Sequence, residues 1–300
     1  MKHLQDFRFI EAVARAGSIR KAAEDMNITA SALNRRINRF EEEFGYEIFE
    51  RLPRGVRLNP AGELLIQHAR AQKSDLARLQ SQVADLSGER RGHISIACSQ
   101  ALLPYFLPAQ IARYRSDHTG VTFSVNVRDR VEAERELSTF SSDIALVFEP
   151  RHLVDFEVIT SIAQPIHVVM RAGHSLAGNR TVRLRDCLDY PHVAPSRQFA
   201  IRVLLDDATK KSHFSQFSPI AESESFEFMR HYVLHEDAIA FQFPIGLDFG
   251  ALRGLAARPL SLRDVAPGNL LLGQLRGRTL PVASAKFSHQ LSQALQSLAV

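Results

Sequence analysis

Cysteine is nearly missing from this chain: Cys98 and Cys187 are the only two in 300 residues. Thiols so few and so far apart exclude a disulfide-stapled scaffold and suit a reducing compartment. Nothing around either cysteine marks it as an activated thiol of a redox switch. Long apolar runs are absent too, and no stretch approaches the ~18 consecutive apolar residues of a membrane helix. The opening segment MKHLQDFRF has no apolar core, so a cytoplasmic location is expected rather than export. There is no glycine-rich phosphate loop and no Gly-x-Ser-x-Gly nucleophile elbow. Of the twelve histidines, His231 and His235 lie four apart with no third ligand on their face, so no metal and no cofactor are expected. Without a catalytic constellation, the chain does not read as an enzyme.

What is present is ordinary in bulk and informative in position. The 45% hydrophobic and 23% charged content is that of a globular protein, and the length calls for two or three domains. A net charge of +4 permits an anionic partner without requiring one.

The first sixty residues are patterned as three short helices. Leu4, Phe7, Ile10, Val13 and Ala14 recur at helical spacing until Gly17. Ser18 is a good N-cap for a second helix marked by Ile19, Ala22, Ala23 and Met26. Thr29 caps a third, in which Leu33, Ile37, Phe40 and Phe44 form one stripe predicted to be buried, and Gly45 ends it. About three residues separate the second and third helices, which is the helix-turn-helix arrangement. At 100° per residue, Ser31, Arg35 and Asn38 lie opposite the stripe, with Asn34 and Arg39 on its flanks. Arginine and asparagine can read guanine and adenine edges through paired hydrogen bonds. The same face could instead be a solvated surface whose arginines pair with Glu41–Glu43. The next segment, FERLPRGVRLNPAG, favours the first reading. Its extended pieces around Pro53-Arg54-Gly55 make a hairpin with an arginine at the tip, suited to phosphate or a minor groove. Helix and hairpin together predict an all-α head with a wing, reading double-stranded DNA.

The order AAEDMNITASALNRRINRFEEEFGYEIFERLPRGVRLNPAGE resembles the amino-terminal domain of LysR-type transcriptional regulators. The resemblance rests on the Ala22-Ala23 pair, the Ile37/Phe40/Glu41-Glu42 helix, Gly45, IFER and LNPAG. It implies that Thr29, Ala30, Ser31, Asn34 and Arg35 face operator DNA, with Arg54 on the wing. The third helix departs from the family's usual Ser-Gln-rich start, so the preferred operator is not carried over. Such regulators respond to a small-molecule effector, act as homodimers or homotetramers and can contact RNA polymerase; no membrane is involved.

After the head (1–59), Asn59 and Pro60 start a long linker helix over 60–88. Leu65, Ala69, Gln72, Leu76, Leu79, Val83 and Leu86 alternate at spacings of four and three, a heptad seam expected to pair two copies. The alternative is a single helix lying on the second domain.

Residues 92–300 alternate strands and helices as an α/β domain: HISIAC, a helix over Leu103–Tyr114, VTFSVNV, a helix over Glu132–Thr139, DIALVF, FEVITSI and PIHVVM. The resemblance implies a two-lobed effector-binding domain like periplasmic binding proteins, with lobe I about 92–162 and 268–300 and lobe II about 163–267. Ligands in open α/β sheets settle where strand ends meet helix starts. CSQALLP places Ser99 and Gln100 at one such junction, and VAPSRQFAIR places Ser196, Arg197 and Gln198 at another. These hydroxyls and the arginine favour a small anionic effector, although simple N-capping would also explain both serines. Arg128, Phe148 and Phe243 follow other strands and are further lining candidates.

Overall fold

The computed structural model describes residues 2–86, 91–148, 155–211 and 217–298; the side chains of Leu4 and Leu86 lie outside the described set. Two compact units divide the chain, residues 1–80 and 81–300.

The first unit is built by α1 (Lys2–Ala16), α2 (Ile19–Asp25) and α3 (Ala30–Phe44), a two-stranded hairpin of β1 (Phe49–Leu52) and β2 (Gly55–Leu58), and the first turns of α4 (Pro60–Leu86). The helix starts follow the sequence closely. Ser18 accepts from the Lys21 amide and Thr29 from the Ala32 amide, each satisfying a donor that the first turn leaves unpaired. Gly45 ends α3 with φ of +81°, a left-handed cap that glycine adopts without Cβ strain. Leu33, Ile37 and Phe40 are buried against Ile10, Val13 and Ala22; each such side chain contributes roughly 1.5–3 kcal/mol. Phe44 departs from expectation. It is 41% exposed because the stripe runs past the end of the core, and it stacks instead on Phe40 and meets Tyr46 edge to face.

The second unit contains two five-stranded sheets. The first has the order β4-β3-β5-β12-β6, using β3 (Arg91–Cys98), β4 (Gly120–Val127), β5 (Ile144–Phe148), β6 (Phe156–Gln164) and β12 (Gly268–Leu275). Strands β3, β4 and β5 are parallel, joined through α5 (Phe106–Asp117) and α6 (Arg130–Ser138); β12 runs antiparallel between β5 and β6. All five residues of β5 are buried, as a central strand covered on both faces requires. The second sheet has the order β11-β7-β10-β8-β9, from β7 (His167–Arg171), β8 (His192–Pro195), β9 (Ala221–Ser223), β10 (Ile239–Gln242) and β11 (Leu255–Pro259). It carries α7 (Leu184–Cys187), α8 (Ala200–Lys211) and α9 (Phe226–His235). Helix α10 (Val282–Gln296) returns to pack on β3 and β6 of the first sheet.

The chain therefore crosses between two lobes twice, once after β6 and once before β12. The two crossings lie side by side, since Gly268 pairs with Gln164. Gln164 fastens this junction by accepting from the Ile245 amide at 3.1 Å.

Candidate nucleic-acid interface and inter-lobe cleft

Helix α3 turns one row outward. Thr29, Ala30, Ser31, Arg35 and Asn38 are exposed and Asn34 is half-buried, whereas Leu33, Ile37 and Phe40 face the core. The neighbouring charges are already engaged. Arg39 bonds Glu43 at 2.8 Å, and the Arg36 guanidinium sits 4.7 Å over the Phe9 ring. Glu41 accepts from the amides of Ile48 and Phe49 at 2.8 and 3.3 Å, tying the end of α3 to the wing. The salt-bridged-surface reading thus accounts for Arg39 and Glu43 but not for Arg35, which has no ion pair among the described residues.

The wing pairs Leu52 with Gly55, leaving Pro53 and Arg54 as an exposed two-residue tip. Its position is fixed by the Val56 amide donating to the Gly17 carbonyl at 2.9 Å, and by a cross-strand pair of Arg57 with Glu50. Asn59 then caps α4, accepting from the Gly62 amide at 2.9 Å. The expected seam divides along this helix. Leu65 and Ala69 are buried and Leu65 joins the core of the head; Leu76 is half-buried, and Leu79 and Val83 are 54% and 55% exposed.

Between the lobes lies a cleft lined by Ser99, Arg128, Asp129, Arg130, Val147 and Phe148 from one side and by Gln198–Ile201, Phe226 and Phe243 from the other. It is nearly filled, with a volume of about 30 Å³. Phe148 and Phe243 stack face to face across it, with centroids 3.9 Å apart and planes inclined by 12°. Phe243 is wedged from behind: a Cβ on Gly268 would come within 2.5 Å of its ring. Beside the stack, Ser99 accepts weakly from the Ala101 amide at 3.4 Å. Arg128 donates Nε to Glu136 and Nη1 to the Val127 carbonyl. Glu136 is buried and also accepts from the Ser142 hydroxyl at 2.6 Å, so it partly neutralises Arg128. Asp129 caps α6 through the Glu132 amide at 2.8 Å.

The structure gathers Ser99, Arg128, Phe148, Gln198 and Phe243 into this cleft but not the other three residues expected there. Gln100 is engaged elsewhere: its Oε1 accepts from the Phe226 amide at 2.8 Å, capping α9 across the lobes. Ser196 and Arg197 do not line the cavity, because α8 begins only at Ala200. Gln198 and Phe199, further along the same turn, take the place expected of them. Of the three residues expected at this junction, Gln198 alone lines the cavity, because it lies nearest the late helix start.

Neither cysteine is poised for chemistry. Burial pushes the Cys98 thiol up to about 12 and raises that of Cys187, so both stay protonated and unreactive. His231 and His235 are exposed, and His231 lies 3.7 Å from Glu227. Among the described residues no three potential ligand side chains gather to hold a metal, and no helix is long and apolar enough to cross a membrane.

Known proteins share this architecture. Residues 4–63 match the family described as bacterial regulatory helix-turn-helix protein, lysR family, and residues 87–296 match the LysR substrate binding domain. The RuBisCO operon transcriptional regulator of Allochromatium vinosum is 30% identical over 60% of this chain and 60% of its own length. The SDS degradation transcriptional activation protein of a Pseudomonas species is 27% identical over 95% of this chain and 94% of its own. Among solved structures, a full-length OxyR variant from Pseudomonas aeruginosa superposes with a TM-score of 0.68 at 19% identity, covering 98% of this chain and 94% of that one. Full-length CbnR in complex with its target DNA gives 0.64 at 16%, covering 97% and 99%. With one family spanning the helix-turn-helix and another most of the two-lobed unit, the chain belongs to the LysR family.

Proposed function

We propose that this protein is a DNA-binding transcriptional regulator whose operator affinity or DNA bending responds to a small effector held between the lobes. One observation carries the reading: Ser31, Arg35 and Asn38 form an exposed row on α3, opposite the core and beside a wing tipped by Arg54. In this reading α3 enters the major groove, Arg35 and Asn34 reach base edges, and Thr29, Ala30, Ser31 and Asn38 fit the groove walls. Arg54 supplies a phosphate or minor-groove contact. The outer half of α4, with Leu79 and Val83 exposed, pairs with a second copy and so presents two reading helices to two half-sites. Tetramer formation, a cytoplasmic site of action and contact with RNA polymerase belong to the same proposal.

The effector is proposed to be a small anion, with Ser99, Arg128 and Arg130 on one wall and Gln198 on the other. A cleft of about 30 Å³ holds water and little more. Binding therefore requires the lobes to part or the Phe148–Phe243 stack to open. The effector then acts by its differential affinity for the open and closed arrangements.

Selection of duplexes from a random pool by the full-length chain tests the reading. A dyad-symmetric site should emerge, and Arg35→Ala should relax it at one position per half-site. Recovery of no common sequence overturns sequence-specific regulation.

A further inference from the structure

Away from the cleft, the two-lobed unit carries a second cavity of about 380 Å³. That lies within the ~300–1,000 Å³ typical of small-molecule sites, and it is far larger than the closed cleft. Arg230, His231 and Leu234 line it from α9, Tyr105 from the residue before α5, and the segment between Asp248 and Leu255 closes it.

The chemistry of the walls is divided. Leu234, Leu252 and Leu255 form an apolar side, while two guanidiniums, Arg230 and Arg253, stand at the polar one. Arg230 donates Nη1 to the Tyr105 hydroxyl at 3.2 Å, which fixes its position and leaves its charge uncompensated. Neither arginine has an ion pair among the described residues. The single carboxylate in the lining, Asp248, is partly occupied by the Gly250 amide at 2.9 Å. The cavity therefore carries a net positive charge beside an apolar wall.

Arg253 is held there against its backbone preference. The Leu255 amide donates to the Leu252 carbonyl at 3.0 Å, closing a tight turn on Arg253 and Gly254 with φ of +40° and +84°. Left-handed φ at both central positions favours glycine, asparagine or aspartate at the first. A strained arginine that delivers charge to a cavity is the pattern expected of a ligand site rather than of a turn selected for stability.

We infer that this cavity binds a small monocarboxylate with an apolar body, its carboxylate on Arg230 and Arg253 and its hydrocarbon on the leucines. The site is separate from the inter-lobe cleft and does not depend on the function proposed for it.

Calorimetric titration of the full-length chain with phenylacetate, 4-methylpentanoate and the neutral isostere phenylacetamide tests this. At least one acid should bind saturably at millimolar concentration or below, and phenylacetamide about tenfold more weakly than phenylacetate. Arg253→Gly should reduce acid binding by about tenfold while raising the thermal midpoint, because glycine relieves the turn; loss of binding then cannot be loss of fold. Ser99→Ala, in the inter-lobe cleft, should leave acid binding unchanged. The assignment is overturned if neither acid saturates, if acid and amide bind alike, if Arg253→Gly retains binding, or if Ser99→Ala removes it.

Discussion

The exposed face of α3, proposed above to read DNA, and the cleft between the lobes use similar residue types in opposite ways. On α3, the polar row is left over by the fold: Leu33, Ile37 and Phe40 do the packing, and the Arg35 and Asn38 side chains make no hydrogen bond or ion pair among the described residues. In the cleft nearly every candidate also holds the structure together. Phe148 and Phe243 stack on each other, Arg128 is tied to Glu136, and Ser99 accepts from the Ala101 amide. The contrast teaches that a surface proposed to meet a large rigid partner can be kept free. A site that must close is built from the contacts that close it, so its stability and its function cannot be varied separately.

The sharpest way to break that contrast is to cut one residue from each region. Phe243→Ala should destabilise the two-lobed unit by about 3–5 kcal/mol through loss of a buried ring. Arg35→Ala should change stability by no more than about 0.5 kcal/mol; urea unfolding followed in each variant measures both. If both substitutions proved neutral, the cleft would not be a closed, packed element. Next in size, Glu41→Ala should cost about 1.5–3 kcal/mol, because the Ile48 and Phe49 amides leading into the wing lose a charged acceptor. Its readout is the unfolding midpoint of the head together with weakened DNA binding.

In binding rather than stability, Arg35→Ala should lose about 1–3 kcal/mol of discrimination at one base position. Arg54→Ala should instead weaken all duplexes evenly and lower the slope of log affinity against log salt by about 1. Anisotropy titrations at several salt concentrations separate the two; identical, sequence-independent losses would contradict the proposed docking.

The smallest effect concerns pH and again divides the molecule. His167, His174 and His192, all in the second lobe, are held neutral mainly by burial, which lowers each below the usual imidazole range. The unfolded chain binds these protons first as pH falls, so their contribution is complete above about pH 6.5 and is lost progressively below it. Thermal unfolding between pH 7.5 and 5 should show the second lobe weakening, and His192→Phe should flatten that dependence.

The head was legible almost residue by residue because a helix supplies direction as well as proximity. The spacing Leu33–Ile37–Phe40 fixes which way Arg35 points, and capping residues fix where α3 starts. Phe44 shows the limit: periodicity continues past the end of the core, and only the neighbouring helices decide where burial stops. Strand ends carry less information. That Ser99 and Ser196 follow strands could be read from the alternation, but of the three residues placed after the second strand the late start of α8 keeps only Gln198 in the cleft and leaves Ser196 and Arg197 outside it. Gln100 was captured by Phe226, 126 residues away in the chain. Contacts of that range have no local signature. The same is true of the Phe148–Phe243 stack, whose two members each read as lining residues while nothing in the sequence made them partners.

Strand β12 carries a consequence for biosynthesis. It occupies the place between β5 and β6, yet it leaves the ribosome after every residue of the second lobe. The second lobe is one uninterrupted stretch from β7 to β11 and can condense as soon as it emerges, whereas β5 and β6 wait with an empty slot between them. Nascent chains therefore expose two unpaired strand edges in the first lobe until residue 275 is out, and that interval is when the lobe is most open to mispairing.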